Sequence, residues 1–259
     1  MTGRKDRTGD RFFLRTEYAL GYIALSICSA EEWLLGRALR KVLRNHLPNA
    51  KTLLDIGCAD GRLTLAIAKE FEIVSFYEPN PTLFSFAVSR LSRSVRLETA
   101  ANQTFPPRNL SHQQFDAVLC SHVLYHIEPD RWDHFFRCVA KVTVPGGVLI
   151  AVLWNANSIA RQMSLRANPN RWLTSAADLM AMEPALRRAG FQILDRVEEA
   201  PVVRAHTRDC ANLVSNFLLG EYAATGKNVA EVAQELGEML CGTGLRNSQD
   251  IFVLGRIKS

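Results

Sequence analysis

The stretch KTLLDIGCADG, residues 51–61, decides the fold of this 259-residue chain. Its first half is a short apolar run, and its second half contains Asp55, Gly57 and Gly61. This order predicts a buried strand and then a tight turn, because glycine adopts backbone angles that other residues avoid. The amphipathic segment from Arg62 predicts a helix, whose first turn offers free N–H groups beside that turn. The stretch therefore predicts a strand, a loop that can approach a ligand, and a helix.

Apolar runs and amphipathic segments continue to alternate after this stretch. The predicted strands cover residues 51–57, 72–78, 95–100, 115–121 and 146–154. Helix-length crossovers between strands make neighbouring strands parallel. Because both faces of such strands are apolar, helices must cover both sides of the sheet. The alternation predicts the α/β class with a doubly wound parallel sheet.

The two flanks of this region are predicted to be helical additions to one domain. Residues 1–48 form an N-terminal helical arm, within which Ser29–Glu32 has the pattern of a capping box. The remaining residues, 49–259, form the main domain. Its later elements are a helix over 175–189, a long strand over 191–203, a helical insert over 207–242 and a last strand over 250–257. The insert therefore separates the last two strands.

Composition excludes several classes of protein. Hydrophobic residues make up 47% of the chain and charged residues 22%, which is typical of a globular protein and not of a disordered one. The net charge of +5 is dispersed, so a nucleic-acid partner is not expected. The apolar stretch 18–30 is too short to cross a bilayer and no signal-peptide pattern precedes it, so we expect a soluble cytoplasmic protein without a membrane partner. The six cysteines occur singly, and no metal site is predicted.

The ligand of an open α/β sheet binds beyond the carboxyl ends of the strands. Glu78 follows the second strand, where a carboxylate accepts hydrogen bonds from ribose hydroxyls. Ala59 occupies the position at which a dinucleotide loop has its second glycine, which disfavours a pyrophosphate. These residues predict a bound adenosine without the second nucleotide of NAD.

Four segments together resemble the class I S-adenosylmethionine-dependent methyltransferases. They are LLDIGCADGRLTLAIA, FYEPNP, FDAVLCSHVLYHI and VPGGVLIAV, in the order and spacing of that family. The resemblance implies a Rossmann-like seven-stranded sheet of order 3-2-1-4-5-7-6 with strand 7 antiparallel. It also implies S-adenosylmethionine as cofactor and S-adenosylhomocysteine as product. The residues it places at the cofactor are Asp55, Gly57, Cys58, Ala59, Gly61, Glu78, Pro79, Asn80, Asn102, Gln103 and Ser121.

One position departs from the family pattern. Many members have an acid after the third strand that contacts the adenine amino group, whereas this chain has Asn102 and Gln103. Either amide could accept that hydrogen bond. The resemblance therefore implies an adenine contact at this position without deciding which residue makes it.

The layout of the flanks resembles that of histamine N-methyltransferase-like small-molecule methyltransferases. The shared features are the arm, the segment after the fourth strand, the helical insert and the sequence before the last strand. This likeness implies a small amine substrate. The matching substrate positions are Glu17, His122 and Asn247, with Tyr18 beside the first of them.

Methyl transfer needs alignment of the acceptor, and a base when the acceptor arrives protonated. His122 and His126 follow the fourth strand, and histidine as a residue type can exchange a proton near neutral pH, so they are the candidate catalytic residues. N-methylation of a small amine is the first hypothesis. The alternatives are O-methylation of a phenol or carboxylate, methylation of RNA or protein, and a binding module without activity. The sequence leaves the oligomeric state open.

Overall fold

A computed structural model describes residues 13–110, 112–167, 176–219 and 229–257. The strands are β1 (Thr52–Ile56), β2 (Ile73–Tyr77), β3 (Arg96–Ala101), β4 (Phe115–Ser121), β5 (Thr143–Trp154), β6 (Phe191–Glu199), β7 (Val202–Val203), β8 (Leu245–Arg246) and β9 (Gln249–Arg256). The helices are α1 (Thr16–Ile27), α2 (Glu31–His46), α3 (Arg62–Ile67), α4 (Pro81–Leu91), α5 (Trp132–Val142), α6 (Ile159–Ala167), α7 (Ala176–Arg188), α8 (Arg208–Leu219) and α9 (Val229–Cys241). The start of the predicted arm, Ser175 and the middle of the predicted insert lie outside the described residues.

The central sheet has seven strands in the order β3-β2-β1-β4-β5-β9-β6. The strands from β3 to β5 pair in parallel, and β9 is antiparallel to both β5 and β6. The last strand therefore enters between its two neighbours against the direction of the others. The predicted Rossmann-like order 3-2-1-4-5-7-6 with an antiparallel strand 7 is confirmed, and β9 is that strand.

Apolar side chains on the two faces of the sheet form separate cores. On one face, Phe136 and Leu186, from α5 and α7, belong to the same buried cluster as Leu149 of β5. On the other face, Leu39 of α2 packs in a cluster with Leu53 of β1. The helices thus cover both sides of the sheet, as the apolar strands require.

A third core lies outside the sheet and is mostly helical. Residues of α1, α6, α8 and α9 share one buried cluster, which includes Leu25, Met163, Val214 and Leu236. The arm and the insert are therefore packed against each other. Within the described residues, no helix is long and apolar enough to cross a membrane.

Two local predictions were wrong. The segment 191–203 is not one strand but two, because Pro201 has no N–H to continue the ladder and Val202–Val203 pairs with β8 instead. The capping box at Ser29 does not form either. Ala30 is the N-cap of α2, and Ser29 is held in an isolated bridge to Val203 while its hydroxyl accepts the N–H of Glu31 at 3.0 Å.

Candidate functional site

A cavity of about 350 Å³ lies at the carboxyl ends of β1, β2 and β4. Asp55, Gly57 and Glu78 lie on the wall formed by the strand ends. Tyr22 of α1 and Phe217 of α8 lie on the wall formed by the arm and the insert. The third, helical core thus places the arm and the insert over the strand ends.

The loop between β1 and α3 turns through three residues with positive φ. Gly57 and Gly61 both have φ +77°, and Ala59 has φ +51°. A Cβ on Gly57 would lie 2.6 Å from Cγ2 of Val123, so this glycine lets the loop pass close under the segment after β4. Gly61 faces away from the cavity, because its Cβ would lie 3.2 Å from the Cα of Ala87 in α4. The first glycine therefore shapes the cavity, and the second allows α3 and α4 to approach each other.

Glu78 is buried in the cavity wall with both carboxylate oxygens engaged. Oε2 accepts the N–H of Ala59 at 2.8 Å, and Oε1 accepts the N–H of Asn80 at 2.8 Å. Burial raises the pKa of this carboxyl to about 7, and the two backbone donors act against that rise. Each carboxylate oxygen can accept a second bond, so the group can still receive two hydroxyl donors from a ligand.

Asp55 is also buried and is only half satisfied. Its Oδ2 accepts a hydrogen bond from the Thr64 hydroxyl at 2.6 Å, and its Oδ1 has no hydrogen-bond partner among the described residues. Burial, together with the nearby charge of Glu78, raises the pKa of Asp55 to about 7. A buried carboxylate oxygen without a partner is costly. A donor or positive charge on a ligand would remove that cost.

The other predicted cofactor positions divide into wall residues and supporting residues. Asn102 donates from Nδ2 to the carbonyl oxygens of Glu78 at 2.8 Å and Pro79 at 3.1 Å, so it fixes the loop after β2. Asn80 caps α4 and is buried behind that loop. The predicted positions that line the cavity directly are Cys58, Ala59, Pro79, Gln103 and Ser121. Of the two amides that follow β3, Gln103 is therefore the one that lies on the cavity wall.

His122 occupies a constrained position at the end of β4. It has φ +57°, a conformation that is uncommon for residues other than glycine, and its N–H is bonded to the carbonyl of Val152. Its ring lies 5.9 Å from that of Tyr125 and 5.8 Å from that of Trp154. Such a backbone conformation persists only where surrounding contacts hold it.

The nearest acid to His122 is Glu31, the first residue of α2. Oε1 of Glu31 lies 3.0 Å from Nε2 of His122, and the two side chains are 12% and 20% exposed. The two atoms are close but not aligned for a hydrogen bond. Both ring nitrogens and Oε2 of Glu31 lack a hydrogen-bond partner in the described part of the chain. The pair therefore has free capacity to bind a polar ligand.

The predicted substrate residues do not all meet at the cavity. Tyr18 and His126 line it together with His122. Glu17 is exposed in the first turn of α1 and is not among the wall residues. Asn247 is fully buried and is not among the wall residues. Its Oδ1 accepts a hydrogen bond of 2.6 Å from the hydroxyl of Ser158. Of these two acids of the arm region, the structure places Glu31 on the cavity wall and Glu17 outside it.

The family model described as "Methyltransferase domain" matches residues 30–196. The chain belongs to this methyltransferase family. The predicted class I S-adenosylmethionine-dependent methyltransferase, an enzyme with S-adenosylmethionine as cofactor, is confirmed. Curated proteins, in contrast, give no significant match.

Solved structures share the fold of this methyltransferase at low sequence identity. A putative methyltransferase from Bacillus halodurans has 14% identity and a TM-score of 0.56, and the match covers 85% of this chain and 98% of the Bacillus chain. A SAM-dependent methyltransferase from Leishmania major has 12% identity and a TM-score of 0.54, and the match covers 92% of this chain and 82% of the Leishmania chain. The N-methyltransferase NodS from Bradyrhizobium japonicum, in complex with S-adenosyl-L-homocysteine, has 16% identity and a TM-score of 0.51. This match covers 85% of this chain and 86% of the NodS chain.

The cavity of the methyltransferase fits a cationic adenosine cofactor. Asp55 offers an unpartnered carboxylate oxygen, Glu78 offers two oxygens with spare capacity, and Gly57 keeps the loop backbone close to the cavity. A sulfonium near buried carboxylates favours their ionised form. The residues present therefore fit S-adenosylmethionine.

Proposed function

We propose that this methyltransferase transfers a methyl group to the nitrogen of a small amine held beneath α1 and α8. The observation that carries the proposal is the contact between Glu31 and His122 on a cavity wall that also includes several aromatic side chains, Tyr22, Trp154 and Phe217 among them. A carboxylate attracts an ammonium group, aromatic faces attract cations, and histidine can take a proton. The resemblance of the flanks to histamine N-methyltransferase-like enzymes supports the same class of substrate.

The cofactor would be held by the residues at the strand ends. Glu78 would accept hydrogen bonds from the ribose hydroxyls, and Asp55 with Gly57 would face the methionine part. Gln103, on the wall next to the third strand, would contact the adenine, and Asn102 would hold the loop that carries Glu78. When bound, S-adenosylmethionine supplies a methyl group attached to a positively charged sulfur. The sulfur keeps the electron pair of the broken bond and becomes the neutral thioether of S-adenosylhomocysteine.

The acceptor would bind between the arm and the segment after β4. Glu31 would draw in the ammonium form, and Tyr22, Trp154 and Phe217 would surround it. These aromatic side chains would also keep water from the reacting groups. Because the methyl group on the sulfonium is already activated, its transfer to the nitrogen requires mainly such a water-poor pocket and alignment of the acceptor. The enclosure by α1 and α8 favours a small molecule over an RNA or protein acceptor.

An ammonium nitrogen must lose a proton before its lone pair can attack. Nε2 of His122 is buried without a hydrogen-bond partner in the described structure, and the residue lies on the cavity wall, so this nitrogen would accept the proton. Glu31, 3.0 Å away, would stabilise the resulting imidazolium. The two residues would thus share attraction of the substrate and removal of its proton.

A matched pair of acid variants tests the assignment of the acceptor site. Glu31→Gln should raise the amine KM about tenfold or more, because it removes a charge-assisted contact worth roughly 1.5–3 kcal/mol. Glu17→Gln, on the exposed side of the arm, should leave that KM within about twofold. Both variants should bind S-adenosylhomocysteine like the parent. The measurement is initial rates with a panel of primary and secondary amines, phenols and carboxylates, followed as release of S-adenosylhomocysteine.

His122→Asn separates proton removal from binding. We expect kcat to fall by about 10²–10⁴-fold with little change in cofactor affinity, as is usual when a general base is lost. A parent enzyme that ignores amines but methylates phenols, together with a Glu31→Gln variant that is faster on phenols, would contradict N-methylation. That result would leave an O-methyltransferase.

A further inference from the structure

Asn80 joins three parts of the molecule through one buried side chain. It is 1% exposed, and its Oδ1 accepts the N–H groups of Thr82 at 3.0 Å and Leu83 at 3.1 Å in the first turn of α4. Its Nδ2 donates to the carbonyl oxygens of Phe13 at 2.8 Å and Arg15 at 3.0 Å. Its backbone N–H is the donor to Oε1 of Glu78.

The two carbonyls that Asn80 binds belong to the start of the arm. Arg15 is the N-cap of α1, and Phe13 lies on the cavity wall with its ring 6.1 Å from that of His126. The same helix carries Tyr18 and Tyr22 on the acceptor side of the cavity. The position of α1 over the strand ends therefore depends at this end on the amide of Asn80.

Capping alone does not require an amide at this position. An N-cap needs an oxygen that accepts helix N–H groups, and aspartate or serine provides one as well as asparagine does. Only the amide also supplies two N–H donors. Both donors are used here, and both point to the arm.

We propose that Asn80 is a positioning residue that fixes the arm to the cofactor loop and so sets the distance between the acceptor and Glu78. Its contact with the arm holds whatever the acceptor is. Its effect on catalysis rests on the proposed function, in which α1 and α2 carry the acceptor groups.

Three substitutions separate the arm contact from the helix cap. Asn80→Asp and Asn80→Ser keep an oxygen that caps α4 but remove the donors to the arm, and serine does so without adding charge near Glu78. Asn80→Ala removes both the oxygen that caps α4 and the donors to the arm. Ser85→Ala is the control on the same helix, because it deletes an exposed side-chain bond to Pro81 that has no contact with the arm.

Hydrogen exchange of the unliganded proteins is the first measurement. Loss of two hydrogen bonds should speed exchange of the amides in residues 16–22 about tenfold or more in the Asp, Ser and Ala variants. The Ser85→Ala variant should exchange like the parent. If the Asp and Ser variants also exchange like the parent, Asn80 is only a helix cap and the proposal is wrong.

Steady-state kinetics is the second measurement. In the Asn80→Ser variant, the KM of the acceptor should rise at least about fivefold while the dissociation constant of S-adenosylhomocysteine changes less than about twofold. Faster exchange with unchanged acceptor KM would show that the arm is released but does not position the acceptor, which would overturn the catalytic part of the proposal. If the parent methylates no amine, the proposed function fails, yet the exchange experiment still decides the arm contact.

Discussion

At the scale of single residues, the cavity wall contains two carboxyl groups, those of Asp55 and Glu78, whose ionised forms are disfavoured by burial. Asp55 and Glu78 both have a pKa raised to about 7 by burial. Neither forms an ion pair within the described part of the chain. Glu78 accepts hydrogen bonds from two backbone N–H groups, and Asp55 accepts one from a single hydroxyl. A cationic or hydroxyl-bearing ligand would lower the cost of ionising both groups, which supports the proposal that they hold the cofactor.

Glu78→Ala should weaken binding of S-adenosylhomocysteine by roughly 1.5–3 kcal/mol, the usual value for hydrogen bonds to a charged group. Titration calorimetry of both proteins measures the difference, and NAD should not bind to either. Glu72→Gln is the matched control, because Glu72 is exposed at the opposite end of the same strand. Unchanged affinity in the Glu78→Ala variant would place the cofactor elsewhere.

At the scale of elements, α1 packs against α8, and both helices contribute residues to the cavity wall. A Cβ on Gly21 would lie 2.5 Å from the Cβ of Phe217 and 3.2 Å from the carbonyl oxygen of Leu213. The helices therefore approach as closely as they do because the residue on α1 has no side chain. Phe217, held at this crossing, also contacts Tyr18, with ring centroids 5.0 Å apart.

Gly21→Val should push α1 away from α8 and open the acceptor side of the cavity. We expect a loss of about 1–3 kcal/mol of unfolding free energy from overpacking, together with a higher acceptor KM. Leu20→Val introduces valine at the neighbouring position, which is 51% exposed, and should change neither the unfolding free energy nor the acceptor KM. Urea unfolding and initial rates measure the two effects. Equal stability and equal KM in the two variants would show that the crossing is not tight.

At the scale of the whole molecule, the raised pKa values link folding to pH. The folded pKa of both Asp55 and Glu78 is about 7, above the ordinary value of a carboxyl. The folded state therefore holds these protons more strongly than the unfolded state does. Their contribution to stability is complete below pH 4 and is lost as pH rises toward and through 7.

The free energy of unfolding of the unliganded methyltransferase should thus fall between pH 5 and pH 8. Thermal unfolding at several pH values in this range measures it, and the slope should be smaller in the Asp55→Asn variant. Bound S-adenosylmethionine should reverse the trend, because a cation beside the carboxyls favours their ionised form. A midpoint that rises with pH in the absence of ligand would contradict the assignment of these two groups.

The sequence by itself determined the fold and the cofactor end of the site. Strand and helix periodicity is a local property, and the carboxyl ends of parallel strands meet at one edge of a sheet whatever the flanks do. Asp55, Gly57 and Glu78 could therefore be assigned to a common site from their positions just inside or after apolar runs. The order of the strands followed from the resemblance of four motifs in register.

Only the tertiary structure decided which side chains of the arm region reach the cavity. Sequence reasoning chose Glu17 as the acid of the arm and interpreted Glu31 as part of a helix cap, whereas the packed arm exposes the former and brings the latter to His122. No local pattern distinguishes the two, because the outcome depends on how α1 packs against α8, far away in sequence, and on how α2 packs against the sheet. The second role of Asn80 was hidden for the same reason, since its partners Phe13 and Arg15 come near it only after the arm has folded over the sheet.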